Sequence, residues 1–532
     1  KSFILMKYLL SLLLMMVVTI SANAQDASFY QKYAEKGDKE AMYNLAQCYI
    51  NGNGGVAQDY NLATTWLTKA VKKNYAPAQK DLGLCYLYGV GVLKDYQQAW
   101  TLLNKAHKQK NASATYYISQ MYKSGIHVSA DKAMYLKFLK EAAGNGDDDA
   151  MLELGLLYLH GSEDYNIDQN ATLGVESIQA AAKQNNAEAI LELGFAYREG
   201  MGGLKEDLQK STELITQAAQ LGNTRALSEA GMIYLNGYGA ERDFSQAYKY
   251  LSVAAEREVP NAMKMLGDMY YYGLGMDIDN NSAFQWYQKA VNAGYGNAYA
   301  QLANMYLYGL GVTEDEPKAF QLFKEAADAG YSSAQSGLAM CYENGYGVTK
   351  SLSNAVSYYK QAAEQGNNYS MHRLYFILKE GGDGVSKDTQ EAIQYLRQAA
   401  DNDYDNALYS LGYEYLVGEI LHQENSKALE YMTKAADNGY SFACAVLGTF
   451  YYDGEPLVEK DYNKAFKYLS VAVKDASSIN EGLLADVYRK IGACYRFGRG
   501  TEVDQSLASY YTEQAAKYGD KGSLDAVKML RR

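Results

Sequence analysis

The sequence predicts an all-α solenoid of about thirteen helix pairs, and three observations predict it. The alanine near the end of each "KAA" segment recurs from Ala70 to Ala515, and seven of the twelve intervals are 36 residues. Each unit opens with small, large and aromatic residues at i, i+4 and i+8, as in Ala298, Leu302 and Tyr306. That spacing marks one face of a helix. Three residues after the tyrosine position comes glycine in every copy, from Gly52 to Gly498, and a fixed period of this size signals a repeat array.

The first 24 residues stand apart from this period. Lys7 precedes an apolar run from Tyr8 to Ile20, and Ala22-Asn23-Ala24 follows as a small-x-small cleavage site, so residues 1–24 are expected to be a secretory signal, with Met6 as its start. A run this short is not expected to span a bilayer. The mature chain is therefore placed in the periplasm or outside the cell, without stable membrane insertion. Removing Lys1 and Lys7 takes the formal charge from −12 to −14, and no basic block remains to follow a phosphate backbone. Nucleic acid is not an expected partner.

Residues 25–37 supply half a repeat as an N-terminal cap, residues 38–519 the thirteen repeats, and residues 520–532 a charged closing helix. Within a repeat the first helix carries the alanine-leucine-tyrosine stripe. A small residue beside the leucine, such as Gly155, Gly194 or Gly267, costs about 1 kcal/mol of helix propensity where it is glycine. Another helix is expected to approach there. The glycine after the tyrosine ends the helix, because it alone adopts positive φ without a side-chain clash. In "YLYGLGV" (306–312) this reading displaces a phosphate loop, which would need a strand before it and a further glycine where Glu314 stands.

The second helix begins at an aspartate eleven residues before the "KAA" alanine, at positions such as 59, 95, 207, 315 and 461, with Asn170 and Ser351 as equivalents and Glu424 as the exception. These short side chains accept from the free amides of the first turn. The helix then runs as "KAFQLFKEAADAG" (318–330), with Ala319, Leu322, Phe323 and Ala326 as its apolar stripe. One helix pair buries too little apolar surface to stand alone, so neighbouring repeats are expected to stabilise each other. The fourth copy is longer by three residues around 160–172, and the thirteenth has a longer first helix.

"AMYNLAQCYINGNGGVAQDYNLATTWLTKAV" (41–71), "ANMYLYGLGVTEDEPKAFQLFKEAADAGYSSAQ" (303–335) and their copies resemble Sel1-like repeats, relatives of the tetratricopeptide repeat. The resemblance implies antiparallel helix pairs stacked into a right-handed superhelix, first helices on the concave side, and a role as adaptor or scaffold. On that basis the positions six, nine and ten after the opening alanine are expected to face a groove. In the middle copies these are Met232, Leu235 and Asn236; Asp268, Tyr271 and Tyr272; Asn304, Leu307 and Tyr308; and Met340, Glu343 and Asn344.

Chemistry-bearing motifs are sparse. Cys48, Cys85, Cys341 and Cys494 share one repeat position, and adjacent repeats hold such positions too far apart to bridge. Five free thiols and no disulfide are expected. The cysteine-rich secreted branch of the resembled family pairs two cysteines within a repeat, a pattern absent here. "SADK" (129–132) and "SYYK" (357–360) lack the companion elements of penicillin-recognising enzymes. The five histidines have no zinc-binding spacing. No catalytic residue, metal or cofactor is expected. The reading is a non-enzymatic scaffold that binds protein or peptide, with a cell-envelope glycan or peptidoglycan-fragment binder, weakly hydrolytic at most, as the alternative.

Overall fold

In the computed structural model of the chain, residues 26–524 are described. The expected signal segment, and all but Asp520–Leu524 of the expected closing helix, lie outside them. Helix follows helix, and among the described residues only two isolated bridges, Ser162 with Ile167 and Gly382 with Val385, interrupt an all-α chain.

The described residues form two compact units, divided between Ile278 and Asp279. In the first, the half-repeat helix Ala27–Ala34 packs on Lys39–Asn51, and six helix pairs follow up to Thr224–Asn236 with Phe244–Glu256, before Pro260–Tyr272 closes the unit. The second opens with Asn280–Asn292 and continues through six pairs, from Tyr299–Tyr308 with Glu316–Asp328 to Glu481–Phe497 with Gln505–Lys517. Six pairs thus lie within each unit, with Pro260–Tyr272 and Asn280–Asn292 as the helices on either side of the division.

Local chemistry sets each boundary. Gly309 ends its helix at φ 62, ψ 36, and the amides of Gly309 and Leu310 both return to the Met305 carbonyl. Left-handed glycine caps of this kind satisfy carbonyls that the last turn would leave open. The turn closes where the Asp315 amide donates to the Tyr306 carbonyl at 2.8 Å. Asp315 then caps the second helix, its carboxylate accepting from Lys318 N at 2.9 Å. Asn170 and Ser351 do the same in their repeats, and Glu424, the one departure from the pattern, makes no side-chain cap.

The second glycine of the turn has a different task. Gly311, at φ 69, lies against the start of the preceding second helix, where a Cβ would come within 2.1 Å of the Asn280 carbonyl oxygen. Gly91 stands in the same relation to Tyr60, Gly347 to Glu316 and Gly500 to Tyr462. The "GxG" pattern is thus one helix cap followed by one point of contact between repeats.

The core follows the predicted stripe: Ala298, Leu302, Ala303, Leu322, Phe323 and Ala326 are all buried. The small residue beside the leucine is needed for close packing, since a Cβ on Gly231 would meet the Leu251 side chain at 2.5 Å. The repeated tyrosine packs between second helices. Tyr342 stacks on Tyr358 of its own repeat at 5.8 Å and meets Phe320 of the preceding one edge-on at 5.5 Å. Tyr495 does the same with Tyr511 and Phe466. Such pairs add about 0.5–1.5 kcal/mol beyond area burial. They explain why the position is aromatic.

Candidate functional site

A first helix leaves uncovered the residues six and ten after its opening position, which are neighbours on one face because they are four apart. In the second unit these are Asn304 and Tyr308, Met340 and Asn344, Phe376 and Glu380, and Tyr413 and Val417. Tyr308 is 52% exposed, Phe376 39%, Tyr413 46% and Val417 48%, so three of these four helices expose large side chains and only the one with Met340 and Asn344 does not. Tyr308 also directs its hydroxyl towards Met340 Sδ at 3.9 Å. In the first unit the same register holds Met232 and Asn236, then Asp268 and Tyr272, with Asn236 exposed and Tyr272 61% exposed.

The position nine after the opening residue behaves differently. Leu307 is 4% exposed and belongs to the packed interior, while Leu235 and Tyr271 are partly covered. Glu343 is bound from both sides, by the Tyr359 hydroxyl at 2.8 Å and by Arg373 of the next first helix. Asp268 is paired with Lys264 at 2.6 Å.

The Glu343–Arg373 pair is one of a series. Lys123 pairs with Glu153, Arg198 with Glu229 at 3.4 Å and Asp453 with Lys490 at 2.5 Å. Each joins the ninth or tenth residue of one first helix to the third of the next. The signs reverse along the chain, from base-to-acid in the first unit to acid-to-base in the second. This register was invisible in any single repeat, because its partners lie some thirty residues apart.

The aromatic surface on repeats ten and eleven also escaped sequence reasoning, which considered only the middle copies. Its signal was present in Phe376 and Tyr413, both at the sixth position. Behind Phe376 lies His372, ring centroids 4.9 Å apart, and the His372 Nε2 shares a 2.9 Å hydrogen bond with Ser410 Oγ. Burial, aided by the Arg373 charge, lowers the imidazole to about 4, so it is a neutral ring at neutral pH. Glu414 is a buried carboxylate held by the Tyr375 hydroxyl at 2.5 Å and by Lys379 at 2.6 Å, and Lys379 also reaches Glu419. An aromatic ridge flanked by mutually neutralised charges can offer contact area and a few hydrogen bonds. Among the described residues no group of His, Cys, Asp and Glu is arranged to hold a metal ion.

The sequence pattern of the Sel1 repeat matches residues 39–75, 76–111 and ten further segments between 148 and 520, well over half of the chain. The chain belongs to the Sel1 repeat family. The matched segments leave out 112–147, where a helix pair nonetheless forms and His127, at φ 66, stands in place of the second glycine. Among solved structures, this Sel1 repeat chain is similar to a protective antigen present in uropathogenic Escherichia coli strains displaying an SLR fold. The two are 24% identical, with 93% of this chain and 96% of that chain covered at a TM-score of 0.58. That likeness shows the fold. A Sel1 repeat protein from Oxalobacter formigenes is 27% identical over 47% of this chain and 96% of its own, at a TM-score of 0.43. Two F-box proteins of Arabidopsis thaliana are 33% and 30% identical over 125 residues, 23% of this chain. The chain spans about a third of the length of these curated relatives.

Proposed function

We propose that this Sel1 repeat chain is an exported, non-enzymatic scaffold that takes protein or peptide partners on the exposed face of its first helices. One observation carries the reading: Tyr308, Phe376, Tyr413 and Val417 stand exposed at the sixth or tenth position of three first helices of the second unit, while nearby charges are already paired. Aromatic side chains bring large contact area at a low cost in frozen rotors. A stripe of them along an array suits an extended segment of another protein. The family's role as scaffold supports the same class of function, and the signal-like segment at Lys7 to Ala24 supports export. No helix among the described residues is long and apolar enough to cross a membrane.

The test is capture from an envelope extract with the natural chain and with the Tyr308→Ala/Tyr413→Ala variant, whose exposed substitutions should leave the melting temperature unchanged. The expected result is a defined set of proteins captured by the first and lost from the second. Equal capture by both, or capture of purified peptidoglycan fragments alone, would reverse the reading.

A further inference from the structure

An aromatic pairing recurs at five junctions between repeats, an aliphatic side chain takes its place at others such as Leu136, Val175 and Ile393, and a polar groove opens at one junction that has neither. The fifth residue after the second-helix cap meets the repeated tyrosine of the next copy edge-on in Trp100 with Tyr122, Tyr248 with Tyr270 and Phe284 with Tyr306, in addition to the two pairs described above. Between repeats five and six that residue is Thr212, whose hydroxyl turns back to the Leu208 carbonyl at 2.9 Å. Thr64 is the other threonine at this position, and it donates to the Gly91 carbonyl of the adjoining turn. Tyr234 therefore keeps its stacking partner Tyr250, at 6.0 Å, and has no ring against its other flank from repeat five.

What occupies the walls instead is polar, glutamine and threonine side chains with the carboxylates of Glu213 and Glu241 among them. The groove, of about 710 Å³, is bounded by Gln209, Thr216, Gln217, Gln220 and Tyr234, with the turn Gly239–Glu241 across one end. It is a shallow groove, open to solvent along much of its length. Glu213, on the same helix, is bonded to Lys210 at 2.9 Å.

We infer that this groove is a binding site for a neutral saccharide. A pyranose ring would take the place that Trp100 or Phe284 fills at sister junctions, its C–H face on Tyr234 and its hydroxyls towards the glutamine amides and the carboxylates of Glu213 and Glu241. An aromatic side chain from a peptide fits worse, because it would bury several amide groups without offering them partners. The site lies on the second-helix side of the array and is independent of the first-helix face proposed above.

The test titrates the full chain with chitotriose, cellotriose and maltotriose by saturation-transfer difference NMR. The variants are Thr212→Phe, which installs the ring found at sister junctions, and Gln217→Ala, an exposed substitution. At least one trisaccharide should bind the natural chain, binding should fall by about tenfold or more in Thr212→Phe, and Gln217→Ala should weaken it severalfold. Thermal melting should show both variants folded. If Thr212→Phe melts early, Gln217→Ala alone decides. Absence of binding at millimolar concentration for all three sugars, binding that survives the decisive variant, or retention only of an aromatic peptide would overturn the assignment.

Discussion

The carbonyl oxygen of Asn280 lies where any side chain on Gly311 would have to go: a Cβ there would be 2.1 Å away. Gly311 is thus required twice, by its φ of 69 and by the neighbouring helix. Gly294 separates the two requirements, since it has φ 78 and nothing within 4 Å of its added Cβ. Gly294→Ala should therefore cost about 1 kcal/mol, the left-handed penalty alone, whereas Gly311→Ala should cost about 2–4 kcal/mol. Urea denaturation of the two variants side by side checks this. Equal losses would remove the inter-repeat role of the second glycine.

Glu343 holds two partners at once, and removing it leaves the hydroxyl of fully buried Tyr359 and the Arg373 guanidinium without their acceptor. Glu343→Ala should destabilise the second unit by about 1–3 kcal/mol. Arg373→Ala on top of it should add less than Arg373→Ala alone, because the pair is coupled. A double-mutant cycle by denaturation measures the coupling. Strict additivity would show that the ion pair carries no register.

Asp147 caps the helix Asp148–His160, accepting from Ala150 N at 2.8 Å, but burial raises its carboxyl to about 7, with the charges of Asp149 and Asp148 adding to the rise and Lys80 opposing it. The folded state then binds a proton more tightly than the unfolded chain, whose aspartate titrates near 3.8. The stability that this group contributes is fully present below about pH 4 and is lost as pH rises through about 7. Asp149, raised to about 6 chiefly by burial, works in the same direction. Asp147→Asn keeps the cap, as Asn111, Asn186 and Asn223 do at the same position of other repeats. It should flatten the decline and raise the melting temperature at pH 8. A melting series from pH 4 to pH 8 decides, and an unchanged slope in the variant would count against it.

All five cysteines are buried and free. Burial pushes the thiols of Cys85 and Cys341 to about 12 and those of Cys444 and Cys494 to about 11, which leaves little thiolate at neutral pH. A disulfide-exchange reagent should label them slowly in the folded chain and completely in denaturant. Rapid labelling of the native chain would place a thiol at the surface.

Much of this architecture is legible in the residues because each signal is local. The cap aspartates, the terminating glycines and the alanine-leucine-tyrosine stripe act within one or two helical turns, and all sit where they were expected. Even Glu424, singled out as a departure, lacks the cap that its neighbours make. The candidate face was only partly legible. Tyr272, Tyr308, Asn236 and Asn344 are exposed, whereas Leu307 is interior and Glu343 is tied to Arg373. Helical phase predicts which residues share a face, but not how far the next helix reaches over that face.

By itself the sequence determined the unit, its number and its boundaries, since these follow from backbone sterics and hydrogen bonding within a short stretch of chain. Tertiary structure alone decided which repeat positions stay open, that Gly311 must yield to Asn280, that Lys123 answers Glu153, and that Thr212 leaves the flank of Tyr234 to a polar groove. Those facts depend on distances between helices belonging to different repeats. No local pattern carries them, because the partner of each residue is supplied by the copy next door.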